Sequence, residues 1–153
     1  MAVAALSFRS MDPSASISEI LDRQAVLDTV NRLFLATDDK RWDELLGIFA
    51  ERVRFDMSSL SGQPETEMAA GDIVDGWRTG LADVAAVHHQ TGNFAVTLAG
   101  DRAEVFCYGI ALHHRPRTDK RVTMFVGSYD FTLVRTAGRW RVTAFRFRAK
   151  FVE

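Results

Sequence analysis

Val87-His88-His89-Gln90-Thr91-Gly92-Asn93, running on into the alternation Phe94, Val96, Leu98, divides the chain in two. Upstream of it, apolar residues recur at helical spacing; downstream, they alternate with polar ones over long stretches, which is strand periodicity. A polar His-His-x-x-x-Asn cluster at such a junction is the first place to look for chemistry. Read alone, the pair favours an ordinary hydrogen-bonded strand start over a site. Neighbouring residues of a strand point to opposite faces, so only one of the two imidazoles can enter an interior.

Downstream, four strands are predicted: Asn93–Leu98, Ala103–Leu112, Val122–Val134 and Trp140–Val152. The turn signals between them are Ala99-Gly100-Asp101, the run Arg115 to Lys120 and Thr136-Ala137-Gly138. Upstream, Ser16 followed three residues later by Glu19 is a capping-box pattern that opens a first helix. Along it Ile20, Leu27 and Phe34 fall on one line with Asn31, and Asp38 stands at the end of that line. Trp42, Leu45, Leu46 and Phe49 give a short second helix, with Asp43 and Glu44 in its first turn. Val53 to Met57 alternates like a strand, Ser58 to Thr66 reads as a loop, and a third helix from Gly71 to Ala82 turns Ile73, Val74, Trp77 and Leu81 inward. Three N-terminal helices packed on a strongly curved, mostly antiparallel sheet make an α+β fold. Residues 1–15 are expected to form a mobile lead-in and 16–153 a single domain.

Composition narrows the function. At 153 residues, 47% hydrophobic and 25% charged, the chain can bury a full core without staples. A net charge of −1 with both signs mixed argues against a nucleic-acid partner. Arg139, Arg141, Arg146 and Arg148 form short basic rows, better suited to a solvated or subunit-facing surface than to phosphates. The single cysteine, Cys107, excludes an intrachain disulfide and reads as a small buried hydrophobe. No run approaches a membrane span and no leader pattern is present, so a cytoplasmic location is expected. Neither GxGxxG nor a P-loop occurs, which leaves nucleotide cofactors without support, and no cofactor is expected. A metal held by His88, His89 and His113 is disfavoured, because His88 and His89 cannot share an inward-facing ion.

Asp38 gives the histidine pair its interest. If it points inward from the end of an apolar stripe, burial forces it to find a partner, and an imidazole is the obvious one. A carboxylate holding one ring nitrogen fixes the tautomer and stabilises the imidazolium formed when the other nitrogen takes a proton.

Asp38-Asp39-Lys40-Arg41-Trp42-Asp43 after the first helix, Val53-Arg54-Phe55-Asp56, His88-His89 with Asn93, and Gly138-Arg139-Trp140-Arg141-Val142 together resemble the SnoaL-like branch of the nuclear transport factor 2-like superfamily. The resemblance runs from about Ile17 onward and implies a cone-shaped α+β barrel around a deep apolar pocket, in a homodimer or homotrimer. The pattern is most similar to the scytalone dehydratase type, with the lindane dehydrochlorinase type alike in its acid–imidazole dyad. By that resemblance Asp38 and His89 match the dyad and His113 a second pocket histidine. The chain departs from it at Thr37 and Met57, where that type has water-holding tyrosines, and at Gly127 and Tyr129, where it has a serine and an asparagine.

The expected activity is that of a cofactor-independent lyase or isomerase acting on a small hydrophobic, cyclic or aromatic molecule. Asp38 would orient His89, His89 would remove a proton, and His113 or Tyr129 would donate to an oxygen or leaving group. Met57, Asn93, Met124 and Tyr129 are expected to contact substrate, with Trp77, Phe94, Phe106 and Phe125 shaping the pocket. Two alternatives are a non-catalytic binding protein and a small subunit of an aromatic-ring-hydroxylating dioxygenase. His88 is expected to face away from the site.

Overall fold

The fold was analysed in a computed structural model that describes residues 16–118 and 121–153; the expected lead-in over 1–15 lies outside the described residues. Helix α1 (Ile17–Asp38) starts as its capping signal requires, with Ser16 Oγ accepting the Glu19 N–H at 3.2 Å. Its buried face is Val26, Val30, Leu33 and Thr37, at helical spacing, with Phe34 and Ala36 beside it. The expected line through Ile20, Leu27 and Asn31 is off-centre, and Ile20 and Asn31 are exposed. From Val26 onward this helix lies deep in the core, whereas its first turns are exposed or half-buried and impose little apolar requirement.

Lys40 takes a left-handed backbone conformation (φ 55°), which reverses the chain between α1 and α2 (Trp42–Ile48). Its ammonium donates to the Leu81 and Val84 carbonyls at 2.9 and 2.6 Å and ties this turn to the segment leading into the third strand. Strand β1 (Phe49–Asp56) follows directly. The stretch expected as loop contains a four-residue helix, α3 (Ser58–Ser61), and a short strand, β2 (Thr66–Ala69). Both are too short for periodicity to reveal; α3 is set by Asp56 Oδ1, which accepts the Ser58 N–H at 2.9 Å. Helix α4 (Ala70–Gly80) is the expected third helix, ending before Leu81 and Ala82, with Leu81 as its C-cap.

Strands β3 (Ala86–Ala99), β4 (Arg102–His114), β5 (Val122–Thr136) and β6 (Arg139–Val152) form the meander read from the sequence. The six strands lie in the order β2-β1-β6-β5-β4-β3, with β1 parallel to β6 and every other pair antiparallel. No pairing joins β2 to β3, so the curved sheet is not closed, and the helices complete the cone. The β5–β6 turn places Ala137 and Gly138 at positive φ (50° and 73°), the geometry of a tight hairpin.

A bulge in β3 positions the site. Gly92 pairs with Tyr108 and Ala95 with Phe106, so Asn93 and Phe94 together oppose one residue, Cys107. Asn93 is left-handed (φ 56°), a conformation asparagine tolerates better than most residues. The extra residue reverses the strand's parity. Odd-numbered His89 before it and even-numbered Val96 and Leu98 after it therefore face the same interior.

Inside, Tyr129 and Phe131 are buried against Phe34 of α1, and Phe145 and Phe147 against Tyr129. Two strand glycines make this density possible. A Cβ on Gly109 would run into the Tyr129 ring, and one on Gly127 into the Arg148 carbonyl and the Phe147 ring.

Candidate active site

Helix α1 ends with Asp38 facing the unpaired edge of β3. Asp38 Oδ2 accepts the backbone N–H of His89 at 2.9 Å, and Asp38 Oδ1 lies 2.6 Å from His89 Nδ1. A carboxylate offers only acceptors, so Nδ1 carries a proton, and the neutral tautomer this contact selects has its lone pair on Nε2. The two side chains are 14% and 11% exposed, enough to reach a ligand while most of the water is kept away. Phe34 backs the imidazole with its ring, at a centroid distance of 5.0 Å.

The imidazole opens into a cavity of about 240 Å³. An apolar cavity of roughly 150 Å³ is known to hold benzene, so this one has room beyond a single ring. Its floor is buried: Leu33, Phe34, Tyr129, Phe145 and Phe147. Leu60, Gly76 and Gly80 line it too and are exposed, which places the mouth between α3 and α4.

Polar groups within this lining are few. His113 sits diagonally from His89, since Val87 pairs with His113 and His89 with Ala111, and its ring packs on Phe125 at 4.8 Å. Burial, then the neighbouring His89 and Arg115, push the His113 imidazole down to about 4, so it is neutral at pH 7. The Tyr129 hydroxyl makes no hydrogen bond among the described residues, and burial followed by Cys107 and Asp38 raises its pKa. It remains a proton donor at any ordinary pH. Thr37 Oγ1 is already committed to the Leu33 carbonyl at 2.8 Å. Cys107 is fully buried in the core opposite Tyr129, its thiol pushed up to about 12 by burial and by Asp130, and is inert.

Of the residues singled out from the sequence, Asp38, His89, His113, Met57 and Tyr129 come together around this cavity; Trp77 and Phe125 line it as well. Two expected substrate contacts stand apart from its lining. Asn93 is the exposed extra residue of the bulge, so counting parity from His89 misplaces it. Met124 lies on the opposite face of β5 from Phe125 and bonds through its backbone to Glu153. Phe94 and Phe106 are likewise outside the lining: Phe94 packs on the core further along β3, and Phe106 meets Tyr108 on the outer face. His88 is exposed on that outer face, opposite Leu112. Among the described residues no group of three His, Cys, Asp or Glu side chains is placed to hold a metal ion.

The lining includes residues that the sequence reading did not single out. Phe145 and Phe147 could be found from the alternation in the last strand, and Leu33 from the helical stripe. Leu60, Gly76 and Gly80 carry no such signal, because what recruits them is the placement of α3 and α4. Three arginines of β6 are paired within the chain: Arg146 with Asp56 and Glu65, Arg148 with Asp130, Arg141 with the Gly47 carbonyl. Among the described residues no helix is long and apolar enough to cross a membrane.

Residues 18–146 match the SnoaL-like domain family. The uncharacterized protein Rv2910c of Mycobacterium tuberculosis is 27% identical over 134 residues, which span 83% of this chain and 84% of that protein. The crystal structure of the Kfla4162 protein from Kribbella flavida superposes with a TM-score of 0.83 at 25% identity, over 88% of this chain and 94% of that one. A candidate scytalone dehydratase from Novosphingobium aromaticivorans superposes with a TM-score of 0.78 over 89% of each chain; at 14% identity this likeness is one of fold.

Proposed function

The chain belongs to the SnoaL-like domain family, and we propose that it is a cofactor-independent lyase or isomerase whose Asp38–His89 dyad removes a proton from a small hydrophobic substrate. The observation that carries this reading is the double hold of one carboxylate on one histidine, at 2.6 Å to the ring and 2.9 Å to the backbone, beside a largely apolar cavity. A histidine that served only packing would not require a half-buried carboxylate to fix its tautomer.

The steps follow from the groups present. His89 Nε2 takes a proton from a C–H made acidic by an adjacent carbonyl or leaving group. Asp38 stabilises the imidazolium so formed without accepting its proton. The neutral His113 imidazole and the Tyr129 hydroxyl are the available donors to the oxygen or leaving group on which charge develops. General-base action of this kind contributes about 10²–10⁴-fold, and orientation by the aromatic floor supplies more. The fold likeness to a candidate scytalone dehydratase is compatible with this chemistry without specifying a substrate.

Incubating the protein in D₂O with small cyclic ketones and following loss of the α-proton signal tests the reading. Catalysed exchange is expected, and its absence across such a panel would favour a binding protein without turnover. The partner expected for the outer sheet face, where Tyr108, Ile110 and Phe151 are exposed, is a second copy of the chain, in a cytoplasmic homodimer or homotrimer. Co-purification with a larger iron–sulfur chain would instead favour the dioxygenase small-subunit reading.

A further inference from the structure

Helix α4 presents two glycines one turn apart, Gly76 and Gly80, to the mouth of the cavity. Glycine within a helix is destabilising relative to alanine, so its use there needs a reason. The protein itself supplies none. Neither residue has a positive φ, and a Cβ built on either would meet no atom within 4 Å. In contrast, Gly109 and Gly127 are each required by a ring or a carbonyl that a Cβ would strike. Gly47, Gly71 and Gly92 are equally unobstructed; what sets Gly76 and Gly80 apart is that both line the cavity, where an added Cβ would take room that a ligand could use.

The floor of the same cavity points to a ligand independently. Tyr129 is only 5% exposed, its ring is held by Phe34 at 4.9 Å and Phe147 at 4.7 Å, and its hydroxyl has no hydrogen-bond partner among the described residues. Among the described residues no sealed side-chain oxygen or nitrogen lacks a partner, so this hydroxyl opens into the cavity, where an oxygen or nitrogen of a bound molecule can pair with it. Between floor and mouth the wall is Trp77 and Leu81 on one side and Met57 and Leu60 on the other, all apolar apart from the indole N–H.

We propose that Gly76 and Gly80 are specificity-determining residues: the cavity takes an elongated apolar molecule with an oxygen at its buried end, hydrogen-bonded to Tyr129, and its far end lies on the bare backbone of α4. The inference rests on the cavity being a ligand site, as in the proposed function, but not on the dyad's chemistry. It identifies a ligand longer than one ring, with a polar head and an apolar tail.

The test is a binding series of phenol, 4-ethylphenol and 4-butylphenol by titration calorimetry on the full chain, which reads affinity and is independent of turnover. In the unaltered protein affinity should rise by roughly fourfold for each added methylene. In the Gly76→Ala/Gly80→Ala double variant phenol should bind as before, whereas 4-butylphenol should lose tenfold or more. The same variant should melt higher, by about 2–4 °C per glycine, because helix propensity improves. Tyr129→Phe should weaken every member of the series by a similar factor of about five, leaving the dependence on chain length intact. The proposal is overturned if the chain-length dependence is the same with and without the glycines, if the glycine variant melts lower, or if the unaltered protein does not favour the longer phenols. Failure of ketone exchange with this series intact would remove the dyad reading and leave the glycine seat standing.

Discussion

Asp38 holds His89 at two points, its Oδ1 2.6 Å from the ring Nδ1 and its Oδ2 2.9 Å from the backbone nitrogen. One side chain at the end of α1 thus fixes both the position of β3 and the tautomer of the imidazole it carries. The contact stands in for a strand on the open side of β3, which has no β neighbour there. Replacing Asp38 by Asn keeps an acceptor for the backbone N–H but removes the charge that supports the imidazolium. The fold should persist, with melting lowered by a few degrees at most, while any proton-transfer activity falls by about 10²-fold or more.

The neutral His113 makes stability depend on pH. Its folded-state pKa of about 4 lies below the ordinary histidine value of 6.5, so between these values the unfolded chain binds the extra proton. The stability associated with this group is fully present above pH 6.5 and is lost as pH falls toward 4. Urea midpoints at pH 7.5 and pH 5.0 should therefore differ for the unaltered protein and differ less for His113→Gln.

Gly109 is the counterpart of Tyr129. The tyrosine ring lies across the glycine and is hemmed in by Phe34, Phe131, Phe145 and Phe147. Gly109→Ala should therefore cost about 1–3 kcal/mol in denaturant unfolding, the range for overpacking, and weaken ligand binding at the floor. The Tyr129→Ala/Gly109→Ala double variant should show less than the sum of the two single effects, since Tyr129→Ala removes the ring that the added methyl would strike.

Arg146 staples the segment that carries Met57 and Leu60. Its Nε donates to Asp56 Oδ2 at 2.6 Å and its Nη2 to Glu65 Oε2 at 2.7 Å. Burial alone would raise the Asp56 pKa, but its hydrogen bonds with Ser58 and Arg146 hold it below the usual carboxylate range. Arg146→Met should cost about 1–2 kcal/mol, kept low by the partial exposure of the guanidinium. Backbone amides from 57 to 66 should then exchange faster than in the unaltered protein.

The parts of this structure legible in the sequence are those written in periodicity. The 22-residue helix, the last three long strands and their turns follow from spacing, whereas the strand expected from Asn93 begins at Ala86. Alternation admits only one of His88 and His89 to the interior, and the family resemblance is what points to His89. Asp38 stands out because a carboxylate ending an apolar helical line has few ways to be satisfied, although the true buried face runs through Val26, Val30, Leu33 and Thr37 beside that line. Asn93 was misplaced because a bulge is a count of residues across two strands, which one strand's pattern does not contain. Met124 was misplaced for a related reason: alternation tells which residues share a face but not which face is inside. Helix α3 and strand β2, at four residues each, fall below the length at which a period can be recognised. Leu60, Gly76 and Gly80 depend on how α3 and α4 settle against the sheet, a tertiary fact.

The most direct test of the central claim is α-proton exchange in a small cyclic ketone, followed by NMR in D₂O for the unaltered protein, Asp38→Asn and His89→Ala, with circular dichroism to establish that all three are folded. The account predicts catalysed exchange in the unaltered protein and a loss of about 10²–10⁴-fold in both variants. Undiminished exchange in folded His89→Ala would contradict it.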